Sequence, residues 1–355
     1  MENSSNGQSQ VRRVSNVRVA GISSAVPTTV AEVSSLAEKF GEESIQKIIS
    51  STGVKRRHVV VGECTSDLCV SAAVRLFEDL SVDLDSITTL VFVSQTHDYA
   101  LPATACVLQE RLGLPVTVAA FDVALGCSGY VYGLWLAGSL LSANGGGKAL
   151  LLVGDTISKM VSETDRSVAA LFGDAGTATL LEYDDQAADM RFILGSDGRG
   201  AKNLIVPGGG FRDRKGQGEF VHDNVRTPFD LYMNGAEIFS FTLARIPALV
   251  NGLLKETGYA EADIQKFVFH QANRFMLEHL GKRMKLPAEK FLMSLENYGN
   301  TSSASIPLAL STEYASANST ANGLHMLVGF GVGYSWGACI IDFDNVHISP
   351  VTIAA

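Results

Sequence analysis

Three polar stretches stand out from apolar surroundings, and each carries a residue able to do chemistry. The first is FDVALGCSGYVYGLWLAGSLL at 121–141, with Cys127 in a small-residue turn between a strand end and a long apolar helix. A thiol at a helix N-terminus faces unpaired backbone N–H groups and the positive end of the macrodipole. Both favour the thiolate, which is the nucleophile. Gly126 and Gly129 let a substrate carbonyl come close to the backbone. Taken alone, Cys127 also reads as a small buried core residue. The second stretch, FVFHQAN at 267–273, delivers His270 to a strand end, where a lone histidine is more often a satisfied structural group. The third, NYGNTSSAS at 297–305, puts Asn300 in a turn before a small-residue helix, and alone it is a capped helix start. Together they supply a nucleophile, an imidazole and a carboxamide. Two chemistries fit. Imidazole and amide beside a thioester stabilise a developing enolate without titrating. A Cys/His/Asn set also runs papain-like hydrolysis, with His activating the thiol. Residue identity alone does not separate them.

The elements that must position these groups alternate. Strands are expected at 17–24, 88–94, 117–123, 149–153 and 175–182, with helices at 30–51, 66–80, 103–112 and from Cys127 onward. The apolar run TTLVFVS at 88–94 is typical of a sheet covered on both faces. The order then starts again. Strands are expected at 191–195, 266–269, 291–294, 324–329 and 336–343, helices at 233–256, 271–285 and 303–316, and a glycine- and charge-rich loop at 202–229. Each half closes on a glycine-broken strand pair, LLLVGD…FGDAGTATLL and HMLVGFGVGYSWGACIIDF. The repeated order suggests an internal duplication: a disordered tail at 1–13, then halves at 14–187 and 188–355. Alternation implies mainly parallel α/β sheets, with the site where strand C-termini from both halves meet.

Composition narrows the class. Over 355 residues, 46% hydrophobic and 18% charged are globular values. The net charge of −9 argues against nucleic-acid binding. Basic residues cluster at Lys55–Arg57, at Arg212–Lys215, and at Arg274 with Lys282, Arg283 and Lys285, and such patches suit docking of an acidic partner. No apolar run of bilayer-spanning length and no signal peptide is expected. Five cysteines without framework spacing suggest a reducing, cytoplasmic compartment, with Cys64, Cys69, Cys106 and Cys339 as structural thiols. His58, His97, His222, His279, His325 and His347 share no metal-ligand spacing, so no metal is expected.

GCSGYVYGL around Cys127, HQAN at 270–273, NTSSAS at 300–305 and GFGVGYSWG at 329–337 resemble the β-ketoacyl-[acyl-carrier-protein] synthase III family of the thiolase superfamily. The likeness runs from about residue 15 to 345 and includes STGVKRRH at 51–58, TDRSVAALFGDAGTA at 164–178 and MNGAEIF at 233–239. It implies a thiolase-like duplicated five-layer α/β/α/β/α fold, a homodimer, a carrier-protein partner and no cofactor. It also implies a two-stage reaction. An acyl group moves from a thioester to Cys127, then a malonyl thioester loses CO₂ and its enolate attacks the acyl-cysteine. His270 and Asn300 would hold the thioester oxygen in the second stage. The backbone N–H groups of Cys127 and Val332 would form the oxyanion hole of the first. Leu101, Arg166, Phe172, Met233, Gly235, Phe239 and Arg274 are the substrate-binding positions that the resemblance implies.

The chain departs from the family pattern at several points. Val332 replaces a usual glycine. The tryptophan and arginine that hold the CoA nucleotide align with Lys47 and Ser51, and a pantetheine-channel asparagine with Ala236. The docking arginine after HQAN comes one place early, as Arg274. A carrier-protein thioester is therefore expected over free CoA. Leu101, where short-chain members often carry phenylalanine to close the partner's pocket, implies a medium or longer primer. Thiolases need a second cysteine in the last glycine loop, and hydroxymethylglutaryl-CoA synthases a carboxylate where Gln95 stands. Two further readings stay open: an acyltransferase passing the Cys127-bound group to an amine or hydroxyl without loss of CO₂, and a non-catalytic acyl-binding subunit.

Overall fold

A computed structural model of the chain describes residues 11–218, 225–314 and 320–354. In chain order its principal strands are β1 (Arg12–Val14), β2 (Val17–Val26), β3 (Ile87–Val93), β4 (Ala119–Val123), β5 (Lys148–Asp155), β6 (Ala175–Tyr183), β7 (Met190–Ser196), β8 (Ile264–Phe269), β9 (Thr320–Gly331) and β10 (Ser335–Ile348). The principal helices are α1 (Thr65–Leu80), α2 (Thr104–Arg111), α3 (Gly129–Asn144), α4 (Gly235–Thr257), α5 (Arg274–Met284) and α6 (Ser305–Glu313).

The strands lie in two repeats of one pattern. In the first, β2 pairs antiparallel with β6, β6 antiparallel with β5, β5 parallel with β3, and β3 parallel with β4. In the second, β7 pairs antiparallel with β10, β10 antiparallel with β9, and β9 parallel with β8. Where the first repeat has β4, the second keeps only a parallel bridge between Phe267 and Phe291. The strand expected at 291–294 is thus reduced to one bridge, since the sheet pairs only with Phe291, and a short helix, Leu295–Tyr298, follows. The end of β10 joins the two sheets by pairing with β2 at Gly21 and Ile22.

Period-two alternation explains why both faces of each sheet are covered. Leu150 and Leu152 point to one core, under α1 and α2, while Leu151 and Val153 point to another. The second sheet does the same: Phe267 and Phe269 face α4 and α5, and Val268 faces inward. The inner core is shared, with α3 and α6 lying between the sheets. Helix, sheet, helix, sheet, helix is the five-layer order expected. Cys339 sits on β10 facing this inner core, fully buried, as a packing thiol.

Several boundaries differ from expectation. Arg12–Val14 is a strand, paired antiparallel with Met190–Phe192, so the tail expected over 1–13 is shorter; residues 1–10 lie outside the described residues. The helix expected over 30–51 opens instead as a strand, Val30–Glu32, paired with Arg56–His58. It then forms two helices, Ala37–Phe40 and Glu42–Thr52, parted by Gly41 at φ +84°. Residues 271–273 stay extended because Gln271 is buried and bonded. Its amide donates to the Phe269 carbonyl at 2.7 Å and accepts from the Ser294 N–H at 2.9 Å. The expected end of the 303–316 helix, and His222, fall outside the described residues. Finally, α4 is long and apolar enough to cross a bilayer by length and composition, contrary to the expectation of no such run. Its Ile246, Leu249 and Leu253 are buried in the core on the second sheet, so it packs as a core helix.

Candidate active site

Cys127 lies just before α3, and the end of β9 comes close to it only because it carries glycine at two positions. A Cβ on Gly331 would sit 2.7 Å from the Cys127 Cβ and 2.8 Å from its Sγ. A Cβ on Gly329 would meet the Ser128 Cα at 2.8 Å. The Ser128 and Ser335 hydroxyls, 2.7 Å apart, tie the start of α3 to β10. Behind the cysteine, Asp155 ends β5 fully buried and gathers two loops. It accepts from the Gln95 N–H at 2.7 Å, and from the Ser303 hydroxyl at 2.6 Å and N–H at 3.2 Å. A buried carboxylate with these donors is pushed up in pKa by desolvation, and the hydrogen bonds work against that rise.

His270 reaches the site from the end of β8, where its N–H donates to the Val328 carbonyl at 2.8 Å. Its Nδ1 lies 2.7 Å from the Ser305 Oγ, and that oxygen also accepts from the Gln271 N–H at 3.3 Å. The Ser305 hydroxyl has one proton and two acceptor lone pairs, so donor and acceptor in this pair follow the tautomer of the ring. Burial drives the imidazole pKa down to about 3, opposed only by a main-chain hydrogen bond with Ser302. Asn300 is equally fixed. Its Oδ1 accepts from the Ser302 N–H at 2.9 Å and its Nδ2 donates to the Ala272 carbonyl at 3.3 Å.

Cys127 borders two cavities. One, of about 180 Å³, is walled mostly by apolar side chains such as Ile157, Met160, Phe172 and Leu231, with Gln95, Ser302 and Val332 near the sulfur. The other, of about 70 Å³, holds His270 and Asn300 together with Phe172, Met233 and Gly235. The three residues singled out from the sequence therefore share one chamber. Phe172, like Leu204 and Cys127, lines both cavities, and the buried Arg57 guanidinium donates to its carbonyl at 3.0 Å.

The thiol is less activated than its place at a helix start suggests. Burial pushes its pKa up to about 11, and the N–H of Val332 and the Ser302 hydroxyl only partly offset that. The expectation that the helix terminus alone favours thiolate gives way to desolvation.

The remaining sequence-derived positions lie outside both cavities. Leu101 is 79% exposed on its own chain. The Arg166 guanidinium donates to the Ser44 hydroxyl at 3.2 Å on the surface. Phe239 packs on Phe275 and His279, and Arg274 lies against Gly53. The other described histidines have structural partners: His58 with the Pro27 carbonyl, His325 with the Gly323 carbonyl and Tyr314, His347 with Asp79. Asp155, Arg57, Ser302 and Ser305 were missed from the sequence. The one signal for Asp155 was a charge ending an otherwise apolar strand.

Comparison with known proteins agrees with this geometry. The family model of 3-oxoacyl-[acyl-carrier-protein] synthase III matches residues 121–198, and that of its C-terminal part matches 254–343. A β-ketoacyl-[acyl-carrier-protein] synthase III of Desulfitobacterium hafniense is 34% identical over 332 residues, covering 93% of this chain and 98% of the relative. The crystal structure of a 3-oxoacyl-(acyl-carrier protein) synthase from Burkholderia xenovorans superposes with a TM-score of 0.92 at 42% identity, covering 97% and 99% of the two chains. A synthase III from Pseudomonas aeruginosa superposes at 0.80 and 30% identity, covering 93% and 99%. With its paired sheets, the glycine approach to Cys127 and this degree of likeness, the chain belongs to the β-ketoacyl-[acyl-carrier-protein] synthase III family of condensing acyltransferases on the thiolase fold.

Proposed function

We propose that the chain performs a two-stage condensation on Cys127. In the first stage the sulfur attacks an acyl thioester while the N–H groups of Cys127 and Val332 hold the oxyanion; the donor's carbon–sulfur bond breaks, its thiol leaves with the Cys127 proton, and the acyl chain settles into the apolar cavity. In the second, a malonyl thioester enters the chamber with His270 and Asn300 and loses CO₂. The resulting enolate attacks the acyl-cysteine carbonyl, releasing the thiol of Cys127. One observation carries this reading: the sulfur borders both an apolar cavity and the chamber that holds His270 and Asn300. A ring kept neutral by burial donates a hydrogen bond to an enolate oxygen without giving up a proton. That role suits condensation better than hydrolysis, where the imidazole must take the thiol proton.

The reading extends to partners. A carrier-protein thioester serves as substrate, because Lys47 and Ser51 offer no stacking ring or fork for a nucleotide. Two copies pair so that Leu101, exposed beside an exposed Tyr99, closes the acyl cavity of its partner and admits a medium or longer primer. The reaction as written needs no metal or cofactor and runs in the cytoplasm. The test is intact mass of the protein after incubation with acyl thioesters of graded length, together with ¹⁴CO₂ release from malonyl thioester in single turnover. An adduct on Cys127, absent in Cys127→Ala, with CO₂ released is the expected result. An adduct without CO₂ release would point to acyl transfer to another acceptor.

A further inference from the structure

Gln95 is a carboxamide set into the otherwise mostly apolar cavity that Cys127 borders. It stands two residues beyond the end of β3, half-buried, and both parts of it are held. Its N–H donates to the buried Asp155 carboxylate at 2.7 Å. Its Nε2 donates to the Ser302 Oγ at 3.3 Å. A Cβ on Gly126 would sit 2.4, 2.5 and 2.6 Å from its Nε2, Cδ and Oε1, so the amide packs on a residue where only glycine leaves it room. Gly126 immediately precedes Cys127, and consecutive Cα atoms are about 3.8 Å apart. The amide therefore borders the first few atoms of any group carried on the Cys127 sulfur, not the far end of that group.

A carboxamide offers one acceptor oxygen and two N–H donors. One N–H is used by Ser302. The Oε1 meets no donor among the described residues, and it is not one of their fully buried unpaired atoms, so it opens on the cavity. A plain hydrocarbon chain laid along it excludes water and leaves the oxygen unpaired, which is unfavourable. A hydroxyl at the same place donates to the oxygen and restores the bond. The amide thus discriminates against an unsubstituted chain in favour of one hydroxylated near the thioester, while Ile157, Met160, Phe172 and Leu231 supply apolar wall for the rest.

We propose that Gln95 determines acyl specificity, and that the acyl group taken up by Cys127 carries a hydroxyl within its first few carbons, which donates to the Gln95 Oε1. The inference deepens the condensation reading and rests on it. It adds no step to the acyl transfer: Gln95 keeps its protons and forms no covalent bond.

The test measures single-turnover acylation at Cys127 by mass spectrometry, with octanoyl and 3-hydroxyoctanoyl thioesters on one carrier protein, both enantiomers of the hydroxyacyl group being tried. Wild type is compared with Gln95→Met, which keeps the length of the side chain, and with Gln95→Leu. Both variants retain the main-chain bond to Asp155 and lose the amide. Wild type is expected to take one 3-hydroxyoctanoyl enantiomer about ten- to a hundredfold faster than octanoyl, the weight of a site polar group left unpaired by the wrong substrate. In both variants that ratio should collapse towards one. A glutamine that merely propped its loop would slow both substrates alike and leave the ratio where it was. A wild-type ratio of one or less for both enantiomers, or a ratio that survives in both variants, overturns the proposal. If neither thioester forms an adduct at Cys127, the condensation reading fails and this inference falls with it; adducts formed without preference sink this inference alone.

Discussion

Burial sets the protonation of the imidazole, and this has two measurable consequences. The His270 pKa falls from the ordinary 6.5 to about 3 because the ring is desolvated. Loss of CO₂ from malonyl thioester should therefore show no limb between pH 5 and 8 that disappears in His270→Gln; such a limb near 6.5 would mean a titrating base. The same shift is a stability statement. The unfolded ring takes a proton near 6.5 and the folded ring only near 3, so its contribution is full above 6.5 and is lost as pH falls towards 3. His325, drawn down to about 4 by burial, adds in the same direction. Asp155 and Asp174, raised by burial, run the other way, their contributions being lost as pH rises. The comparison must therefore be between variants at each pH. Urea unfolding of wild type and His270→Gln at pH 7 and pH 5 should show a smaller acid loss in the variant. The difference is bounded by about 1.4 kcal/mol per pH unit below 6.5.

At the scale of elements, the site is a meeting of chain segments that only glycine lets approach. In β9, Gly331 faces Cys127 with no room for a methyl group. Gly331→Ala should cost about 1–3 kcal/mol of stability by overpacking and displace the sulfur or the strand end. Acylation should fall by at least tenfold while far-UV circular dichroism stays unchanged. Wild-type acylation in this variant would show that the sulfur tolerates a shift. The elements themselves were largely legible, because apolar alternation and helical spacing are local patterns. The misreadings occurred where a distant partner decided. Val30–Glu32 is extended because Arg56–His58 pairs with it, and 291–294 is not a strand because the second sheet accepts only Phe291. The chain over 271–273 is held out of helix by the bonds of a buried Gln271.

For the whole molecule, the exposed apolar loop around Tyr99 and Leu101 is one feature that a single chain leaves unexplained. In the proposed dimer it closes a neighbour's acyl cavity, so sedimentation should give a mass near twice 37.8 kDa. Leu101→Phe should then shift preference from octanoyl towards acetyl primers, each lost methylene contact weighing about 0.8 kcal/mol. A monomer, or an acetyl preference in the wild type, would contradict this. The sequence by itself singled out Cys127, His270 and Asn300, which share one chamber, and the order of elements. Side-chain chemistry and hydrophobic period are properties of short stretches, and motifs keep their spacing whatever surrounds them. Tertiary structure alone decided the electrostatics: that the thiol is raised and not lowered, that the imidazole stays neutral, and that Asp155 and Ser302 support the site. Those outcomes depend on desolvation and on hydrogen bonds between residues 148 and 207 positions apart, such as Asp155 with Ser303 and Gln95 with Ser302. No local pattern records which buried groups will meet.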